Sequence, residues 1–502
     1  MDRNPLAVDL CRVALWLESH AEGRPLTFLD HRIRCGDSLI GVFDLDVLKQ
    51  GIPDKAFEPL EGDDKAAARA AAKRNRGERD RPGLYQMDAV ESLKRLGGHA
   101  RQVDAIEDDS PELIRRKRDA FSATRASPVA VSLRRLCNLW TAAFFQPLTT
   151  TAGTAPPITT GAIHDLAAGG GRSGSVTHQT IGMAEGLAAT ERFFHWPLEF
   201  PEVFEDGGFD VMLSNPPWER VKLQEQEFFA ARDNRIATAP NKAARSALIK
   251  RLPQENPFLH SEFTAAMRGA EGASLFLRHS GRYPFCGRGD INTYAVFAEL
   301  NRNLTAPGGR AGIIVPTGIA TDDTTKLYFG DLVQTRTLAS LFSFENEEFV
   351  FPAVHHAAKF CLLTTCGQAK LVSRAEFVFL ARRVRHLYDV ARRFTQGAED
   401  IRLLSPNTLT CKILRTVRDA AIVRAIHERL PVLDNEGLGP RGNPWSLSVR
   451  RVLDMNKAST LRLCTESRDR RAGSQGKGGL TVLPSASTYP KSPAKSARSW
   501  AV

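Results

Sequence analysis

The stretch Phe209-Asp210-Val211-Met212-Leu213-Ser214-Asn215-Pro216-Pro217-Trp218 decides the fold. Its short apolar run at 211–213 predicts a buried β-strand. The two prolines prevent a helix from starting at Asn215, so the strand must end in a stiff loop. In open α/β sheets, ligands bind outside the carboxyl ends of the strands. The loop at 215–218 is therefore a candidate site in an α/β protein.

The residue types of this loop suit methyl transfer to a nitrogen. The amine of a nucleobase or an amide is a poor nucleophile because its lone pair is delocalised. The Asn215 side-chain oxygen and the Pro216 carbonyl can accept both amine hydrogens, which frees the lone pair to attack a methyl donor. Trp218 offers a flat face for an extruded base. The alternative interpretation is a strand end with a Pro-Pro turn and a buried tryptophan.

The loop resembles motif IV, (D/N/S)PP(Y/F/W), of the amino-methyltransferases. Residues 194–204 (FHWPLEFPEVF) and 221–229 (VKLQEQEFF) narrow the resemblance to the large N6-adenine-specific DNA methyltransferases of type II restriction–modification and phage-defence systems. Several blocks agree in order, from the first residues to about Lys457. The resemblance implies a Rossmann-like α/β core that uses S-adenosylmethionine (SAM) to methylate a flipped adenine in double-stranded DNA. The implied catalytic residues are Asn215, Pro216, Pro217, Trp218 and Phe351.

Two further blocks carry the cofactor residues that the resemblance implies. Asp2 matches the acidic residue of motif II, which binds the ribose of SAM, and Asp37 with Ser38 matches motif III, beside the adenine of SAM. Asn215 adjoins the cofactor in the same family. The alternatives are a solvated terminal residue for Asp2 and a common Asx turn at 36–38. After Asp2, apolar residues at 6, 10, 13 and 17 predict a helix capped by Asn4, with Pro5 in its first turn.

Motif I, a glycine-containing loop after the first strand of the family, has no counterpart before Asp2. The glycine-rich run at 169–174 is no substitute, because it follows helix-like residues and not a strand. We therefore expect a truncated core that lacks its first strand, with a second polypeptide as one source of motif I.

The second half of the chain continues the sheet. Residues 307–309 predict a turn, 311–315 a buried strand, and 338–344 with 359–364 a hairpin. Residues 314–318 (IVPTG) resemble the family block beside the target pocket. Phe351 matches the aromatic residue of motif VIII, so the resemblance implies that Trp218 and Phe351 sandwich the flipped adenine. For a lone phenylalanine, core packing is the alternative.

Composition changes and the resemblance together divide the chain into six segments. These are 1–46, part of the SAM-binding half; 47–145, a helical insertion; 146–205, a linker and lead-in; 206–370, the catalytic half; 371–457, the start of a target-recognition region; and 458–502, a disordered or frameshifted tail. The target-recognition region contains a cluster of arginines at 382, 383, 385, 392 and 393.

Composition fits this interpretation. A chain of 502 residues has room for two or three domains, and a formal net charge of +11 favours a polyanionic partner. The eight cysteines include no CxxC pair, which argues against a zinc site and a disulfide framework. We find no signal peptide and no apolar run long enough to span a membrane, so we expect a cytoplasmic protein without a membrane partner.

Two other functions use the same residues. A protein-glutamine or RNA methyltransferase would apply the same NPP chemistry to an amide or a base, although the long insertion and the C-terminal region disfavour it. An inactive remnant, or one subunit of a split methylase, would bind DNA or a partner chain without acting alone.

Overall fold

The computed structural model describes residues 1–20, 22, 25–80, 89–150, 155–169, 176–443 and 446–447. The predicted tail at 458–502 and the glycine-rich run beyond Gly169 lie outside these residues. The chain forms two compact units, Met1–Leu430 and Pro431–Val502. In the described part of the second unit, Glu436–Gly442 contains two short 3-10 turns separated by a kink at Gly439. Within the described ranges, no helix is long and apolar enough to cross a membrane.

A six-stranded mixed sheet forms the centre of the first unit, with strand order β1-β2-β4-β3-β5-β6. β1 is parallel to β2 and β3 is parallel to β5, whereas the pairs β2–β4, β3–β4 and β5–β6 are antiparallel. The structure therefore confirms the predicted α/β class. The strands are β1 Phe209–Ser214, β2 Thr305–Pro316, β3 Leu338–Glu345, β4 Lys359–Cys366, β5 Arg374–Ala381 and β6 Phe394–Gly397.

Helices surround the sheet, and side-chain oxygens cap many of their first turns, as at Asn4, Asp64 and Ser127. Short 3-10 helices cover Asp54–Phe57, Asp323–Thr325, Asn346–Glu348 and Val384–Tyr388. The α-helices of the described residues are α1 Pro5–Glu18, α2 Val47–Gln50, α3 Lys65–Arg79, α4 Ala89–Asp104, α5 Pro111–Ala126, α6 Pro128–Ala142, α7 Thr160–Ala167, α8 His178–Glu191, α9 Trp196–Glu199, α10 Pro201–Glu205, α11 Glu225–Ala230, α12 Asn234–Ala237, α13 Lys242–Ile249, α14 Leu252–Glu255, α15 Pro257–His279, α16 Thr293–Leu304, α17 Gly318–Thr321, α18 Lys326–Gln334, α19 Ala398–Leu404 and α20 Val417–Arg429.

Helix α6 joins the helices before residue 145 to the core. Its Trp140 ring packs on Phe144 and on Phe276 of α15, with ring centroids 5.4 and 6.0 Å apart. The Trp140 Nε1 donates to the Gly51 carbonyl at 3.1 Å. Most of the apolar stretch 133–145, from Leu136 onward, belongs to the main hydrophobic core, where its aromatic rings bury large apolar areas.

Strand β1 lies at one end of the described sheet, and one of its faces is open. Val211 is 64% exposed and Leu213 is 79% exposed, whereas Met212 packs against the core. The prediction of a strand here is confirmed, but the prediction that it is buried is wrong. Alternate residues of a strand point to opposite faces, and no described element covers the face of Val211 and Leu213.

Helix α1 begins as predicted but does not bury its apolar face. Asn4 Oδ1 accepts the Leu6 N–H at 3.0 Å, and Pro5 is the first helical residue. The leucines at 6, 10 and 17 and Val13 are all exposed, by 46–75%. Helical periodicity thus identifies the helix correctly, while its apolar face remains without a described partner.

The turn predicted at 307–309 is wrong, because these residues belong to β2. Phe209 pairs with Thr305 but Val211 pairs with Arg310, so the intervening residues of β2 form a bulge. A Cβ atom at Gly309 would lie 2.7 Å from the Phe209 carbonyl oxygen, which explains the glycine there. The predicted hairpin is confirmed as the antiparallel pair β3–β4.

We expect Asn75→Ala to lower the free energy of unfolding by about 2–3 kcal/mol, because its loss leaves buried polar groups unpaired. The fully buried Asn75 on α3 donates to the Ile52 carbonyl at 2.8 Å and accepts from the Thr160 N–H at 2.9 Å and from its hydroxyl at 2.8 Å. Urea denaturation measures the change. The matched control is the exposed Lys73→Ala on the same helix, which should stay within about 0.5 kcal/mol of the parent chain.

Candidate active site

The sheet brings several loops to one edge. Pro316 at the end of β2 pairs with Phe360, and Glu345 at the end of β3 pairs with Lys359. Since β1 is parallel to β2, the loop that begins with Asn215 leaves the sheet at this same edge. We call it the carboxyl edge. It is the position where α/β sheets bind their ligands.

The NPPW loop presents its asparagine to solvent. Asn215 is exposed, while Pro216 is buried behind it. The Thr293 hydroxyl, at the start of α16, donates to the Pro217 carbonyl at 2.6 Å. The Asn301 amide, further along α16, donates to the Ser214 hydroxyl at 2.5 Å. Helix α16 therefore fixes the loop on both sides of Asn215.

Asp290 and Asn292 precede this helix and are residue types that commonly cap helices. Asn292 does occupy the position before the helix, but it makes no side-chain capping bond to it. Its amide donates to the Asp290 carbonyl at 3.3 Å. A threonine one residue into a helix carries no sequence signal for holding a distant loop.

Trp218 and Phe351 border one aromatic cluster. The rings of Phe344 and Phe360 stack at its centre, 5.2 Å apart, and Trp218 packs against this pair from the β1 side. Phe351 contacts Phe360 edge-on at 4.9 Å. The Trp218 Nε1 donates to the Ile314 carbonyl at 3.4 Å. The structure thus brings these two predicted site residues into one cluster at the carboxyl edge.

A buried asparagine, missed by the sequence reasoning, shapes the loop that carries Phe351. The Asn346 amide nitrogen donates to the carbonyls of Phe351 at 3.0 Å and of Val354 at 2.9 Å. Its oxygen accepts the Phe351 N–H at 3.0 Å. Because Asn346 is fully buried, these bonds have little competition from water. An asparagine directly after a strand was the available signal.

Asp2 and Asp37 lie side by side. The Asp2 N–H donates to the Arg34 carbonyl at 3.3 Å, and the Gly36 N–H donates to the Asp2 carbonyl at 2.9 Å. One Asp2 carboxylate oxygen accepts the Asn4 N–H at 2.6 Å. The two predicted cofactor residues are therefore neighbours through backbone pairing.

The two oxygens of the Asp37 carboxylate have different partners, a backbone N–H in a turn and a guanidinium group. Its Oδ1 accepts the Leu39 N–H at 3.1 Å, which is the Asx turn given above as the alternative. Its Oδ2 lies 3.5 Å from the guanidinium of Arg3, which also contacts Glu191. Burial raises the pKa of Asp37, and Arg3 together with the Leu39 N–H opposes this rise. One carboxylate oxygen therefore closes the Asx turn and the other faces Arg3.

Residues from a distant part of the chain hold the backbone after Asp37. The Arg282 guanidinium donates to the carbonyls of Ser38 at 3.1 Å and Gly41 at 2.7 Å. The Tyr283 hydroxyl donates to the Leu39 carbonyl at 3.0 Å. Burial lowers the pKa of Arg282, and the nearby Tyr283 and Asp37 oppose this effect. No sequence feature predicts this contact, since 244 positions separate Ser38 from Arg282.

The segment before β1 binds the same backbone from another side. The Phe194 N–H donates to the Ile40 carbonyl at 2.8 Å, and the Trp196 Nε1 donates to the Ser38 carbonyl at 3.0 Å. The Trp196 ring also packs edge-on against Phe209 of β1, at 5.8 Å. Trp196 therefore connects the Asp37 region with the strand that leads to Asn215.

His195 is a buried, neutral link between this backbone and α6. Its Nδ1 accepts the Val42 N–H at 3.0 Å, so its Nε2 carries the proton and donates to the Asn138 side-chain oxygen at 2.8 Å. Burial lowers the pKa of His195 to about 3, and the positive charges of Arg134 and Arg282 add to this effect against the opposing Glu199.

We expect the free energy of unfolding to fall as the pH drops from 6.5 toward 3. A histidine whose pKa is lowered in the folded state takes up its proton first in the unfolded chain, so its stabilising effect is complete above pH 6.5 and declines below it. The slope should approach about 1.4 kcal/mol per pH unit for each such histidine. His31, with its pKa lowered to about 4, adds to the effect over part of this range.

The variant His195→Gln checks this assignment. A glutamine has an acceptor and a donor but does not titrate. The variant should therefore remain folded at neutral pH, and its free energy of unfolding should fall less steeply as the pH drops. Urea denaturation across the pH range measures it. An equally steep fall in the variant would contradict the role given to His195.

Comparison with known proteins adds a family match. Residues 1–246 match the model of the Eco57I restriction-modification methylase family. The matched range includes Asp2, Asp37 and the NPPW loop, but not Phe351. No curated protein matches the chain significantly.

Among solved structures, 29 chains match. One is the type IIG restriction endonuclease BpuSI, with 14% sequence identity and a TM-score of 0.21 over 67% of this chain and 40% of that chain. The chain thus spans less than half the length of that protein, and a TM-score this low gives no information on its fold.

Proposed function

We propose that this chain is a SAM-dependent DNA methyltransferase that methylates the N6 atom of adenine in a restriction–modification or phage-defence system. One observation carries the proposal. The exposed Asn215 leaves the carboxyl edge of the sheet beside the aromatic cluster that Trp218 and Phe351 share. The methylase family match over residues 1–246 supports the same class of enzyme. Action on cellular DNA would place the protein in the cytoplasm.

The loop would activate the adenine amine by hydrogen bonding. The Asn215 Oδ1 and the Pro216 carbonyl accept the two N6 hydrogens, so the N6 lone pair is no longer shared with the ring. Pro217 stiffens the loop, and α16 holds it through Thr293 and Asn301. When bound, SAM supplies an electrophilic methyl group. Because the acceptors are fixed before the reaction, little reorganisation is needed when N6 attacks.

Trp218 and Phe351 would hold the flipped adenine between their rings. Stacking on an aromatic side chain contributes about 1–3 kcal/mol per base. Both residues are only partly buried, in contrast to Phe344 and Phe360 behind them. Asn346 binds both the N–H and the carbonyl of Phe351. These two hydrogen bonds favour a fixed position for the Phe351 ring beside the base.

The polar groups near the N-terminus suit the adenosine part of SAM. A carboxylate oxygen of Asp37 can accept a hydrogen bond from the adenine amine, and Asp2 can accept from the ribose hydroxyls. The Ser38 carbonyl already accepts from Trp196 and Arg282, so Ser38 would take part through its remaining groups. Asn215 would lie between this pocket and the target base.

One observation favours a second candidate, a methylase subunit that works with another polypeptide. The exposed Val211 and Leu213 of β1 form an apolar strand face at the end of the described sheet. A partner polypeptide that carries the glycine loop of motif I would add a strand beside β1. The partner would also bury the exposed face of Val211 and Leu213. No feature of the described residues favours an RNA or glutamine substrate over DNA.

We expect Asn215→Ala to reduce methyl transfer to adenine by about 100-fold or more while DNA affinity stays nearly unchanged. The readout is N6-methyladenine in digested DNA, quantified by mass spectrometry, with binding measured separately. Asn234→Ala, which changes an exposed asparagine on α12, is the matched control and should methylate normally. Normal methylation by the Asn215 variant would refute the mechanism.

We expect Asp37→Asn to weaken SAM binding about tenfold, a loss of about 1.4 kcal/mol. The amide oxygen can still accept the Leu39 N–H and preserve the Asx turn, but the amide NH₂ group replaces an acceptor with a donor. Isothermal titration calorimetry with SAM measures the change. If the parent chain shows no saturable SAM binding, the second candidate, a subunit that needs a partner, is the better account.

A further inference from the structure

The segment 382–393 follows β5 and has the sequence Arg-Arg-Val-Arg-His-Leu-Tyr-Asp-Val-Ala-Arg-Arg; we call it the arginine loop. We propose that the arginine loop is a DNA-contacting element, in which Arg385 binds a backbone phosphate and Tyr388 packs against a sugar or base. The inference rests on the proposed function and names the surface that receives the duplex. It contains five arginines and one aspartate, a strongly positive composition.

The loop lies at the same edge of the sheet as the NPPW loop. Phe344 of β3 pairs with Ala381 of β5 in the parallel direction, so the loop leaves β5 at the carboxyl edge. Leu387 packs against the same aromatic cluster that Trp218 and Phe351 border. A duplex presenting a base to Asn215 would therefore approach the side of the sheet on which the arginine loop lies.

One arginine of the loop, Arg385, differs from the other four in its surroundings. In the described part of the chain, no carboxylate lies within ion-pair distance of Arg385. The other four are paired on the surface, Arg382 with Glu345, Arg383 with Glu348, Arg392 with Asp389 and Arg393 with Glu376. Exposed ion pairs of this kind contribute only about 0–1 kcal/mol, so they readily exchange a carboxylate for a phosphate.

Five arginines of the loop face four paired carboxylates, so one positive charge remains in excess among the described residues. Partial burial lowers the pKa of His386, and the positive charges of Arg392, Arg385 and Arg383 lower it further against Glu348. Such a surface attracts phosphates, and each phosphate neutralised by the protein releases counter-ions.

Exposed apolar side chains lie among the arginines. Val384 is 59% exposed, Tyr388 is 77% exposed and Val390 is 85% exposed. A purely solvated basic loop has no need of these groups. A nucleic acid offers partners for both kinds of side chain, since phosphates bind the guanidinium groups and the flat faces of sugars and bases contact the ring.

The test is fluorescence anisotropy of a labelled duplex of mixed sequence with the full chain, at several salt concentrations. We expect Tyr388→Ala to bind about tenfold more weakly. Arg385→Gln should lower the slope of log K against log salt by about one unit. The control Arg118→Gln removes a charge from the exposed face of α5 and should change neither quantity.

A second measurement does not depend on variants. Cross-linking to duplex DNA that contains 5-iododeoxyuridine, followed by mass spectrometry, should identify a peptide that includes Tyr388. Cross-links confined to other peptides would overturn the inference.

The remaining outcomes are distinct. If the parent chain binds the duplex and the loop variants bind like Arg118→Gln, the inference fails while the proposed function stands. If the parent chain binds no duplex, both fail. If the loop variants lose binding to phosphatidylserine vesicles and keep duplex binding, a membrane surface is the partner and the inference fails.

Discussion

The pairing of β2 is the constraint on which the candidate active site depends. β2 bonds to β1 in the parallel direction and to β4 in the antiparallel direction, and β4 bonds in turn to β3. This register places the ends of three strands at one edge, with Asn215, Thr317 and the loop of Phe351 following them. The Thr317 hydroxyl, buried at this edge, bonds to the Ser343 hydroxyl of β3 at 2.9 Å. A shift of one residue in β2 would turn its side chains to the opposite faces and separate these groups.

The part of the candidate site around Asp37 is held by hydrogen bonds to side chains and backbone groups, and not by a sheet. Consecutive carbonyls after Asp37 are bound by side chains and N–H groups of two distant segments, 194–196 and 282–283. This backbone needs no regular secondary structure to be rigid, because each carbonyl from Ser38 to Gly41 already accepts a hydrogen bond. His195 and Arg282 are costly to bury, and their retention inside the protein is explained by the backbone groups they satisfy.

Local signals predicted much of this structure. Prolines ended β1, Asn4 and Pro5 marked the start of α1, and two strand-like runs identified the hairpin of β3 and β4. The candidate site residues also lie on short motifs, and their roles remain predictions. Burial and long-range contacts were not, since they depend on what lies opposite an element. Val211, Leu213 and the α1 leucines have the pattern of buried residues and are exposed, whereas Arg282 has no sequence feature that predicts its contacts with Ser38 and Gly41.

The width of the sheet sets the scale of the proposed DNA contact. β1 leads to Asn215 and β5 leads to the arginine loop. The strand order places β5 four inter-strand spacings from β1. At about 4.8 Å per step these two loops are about 19 Å apart along the carboxyl edge. A duplex advances about 3.4 Å per base pair, so this distance corresponds to about five or six base pairs. In the proposed complex, one edge of the sheet holds a flipped base at one end and contacts phosphates about half a helical turn away.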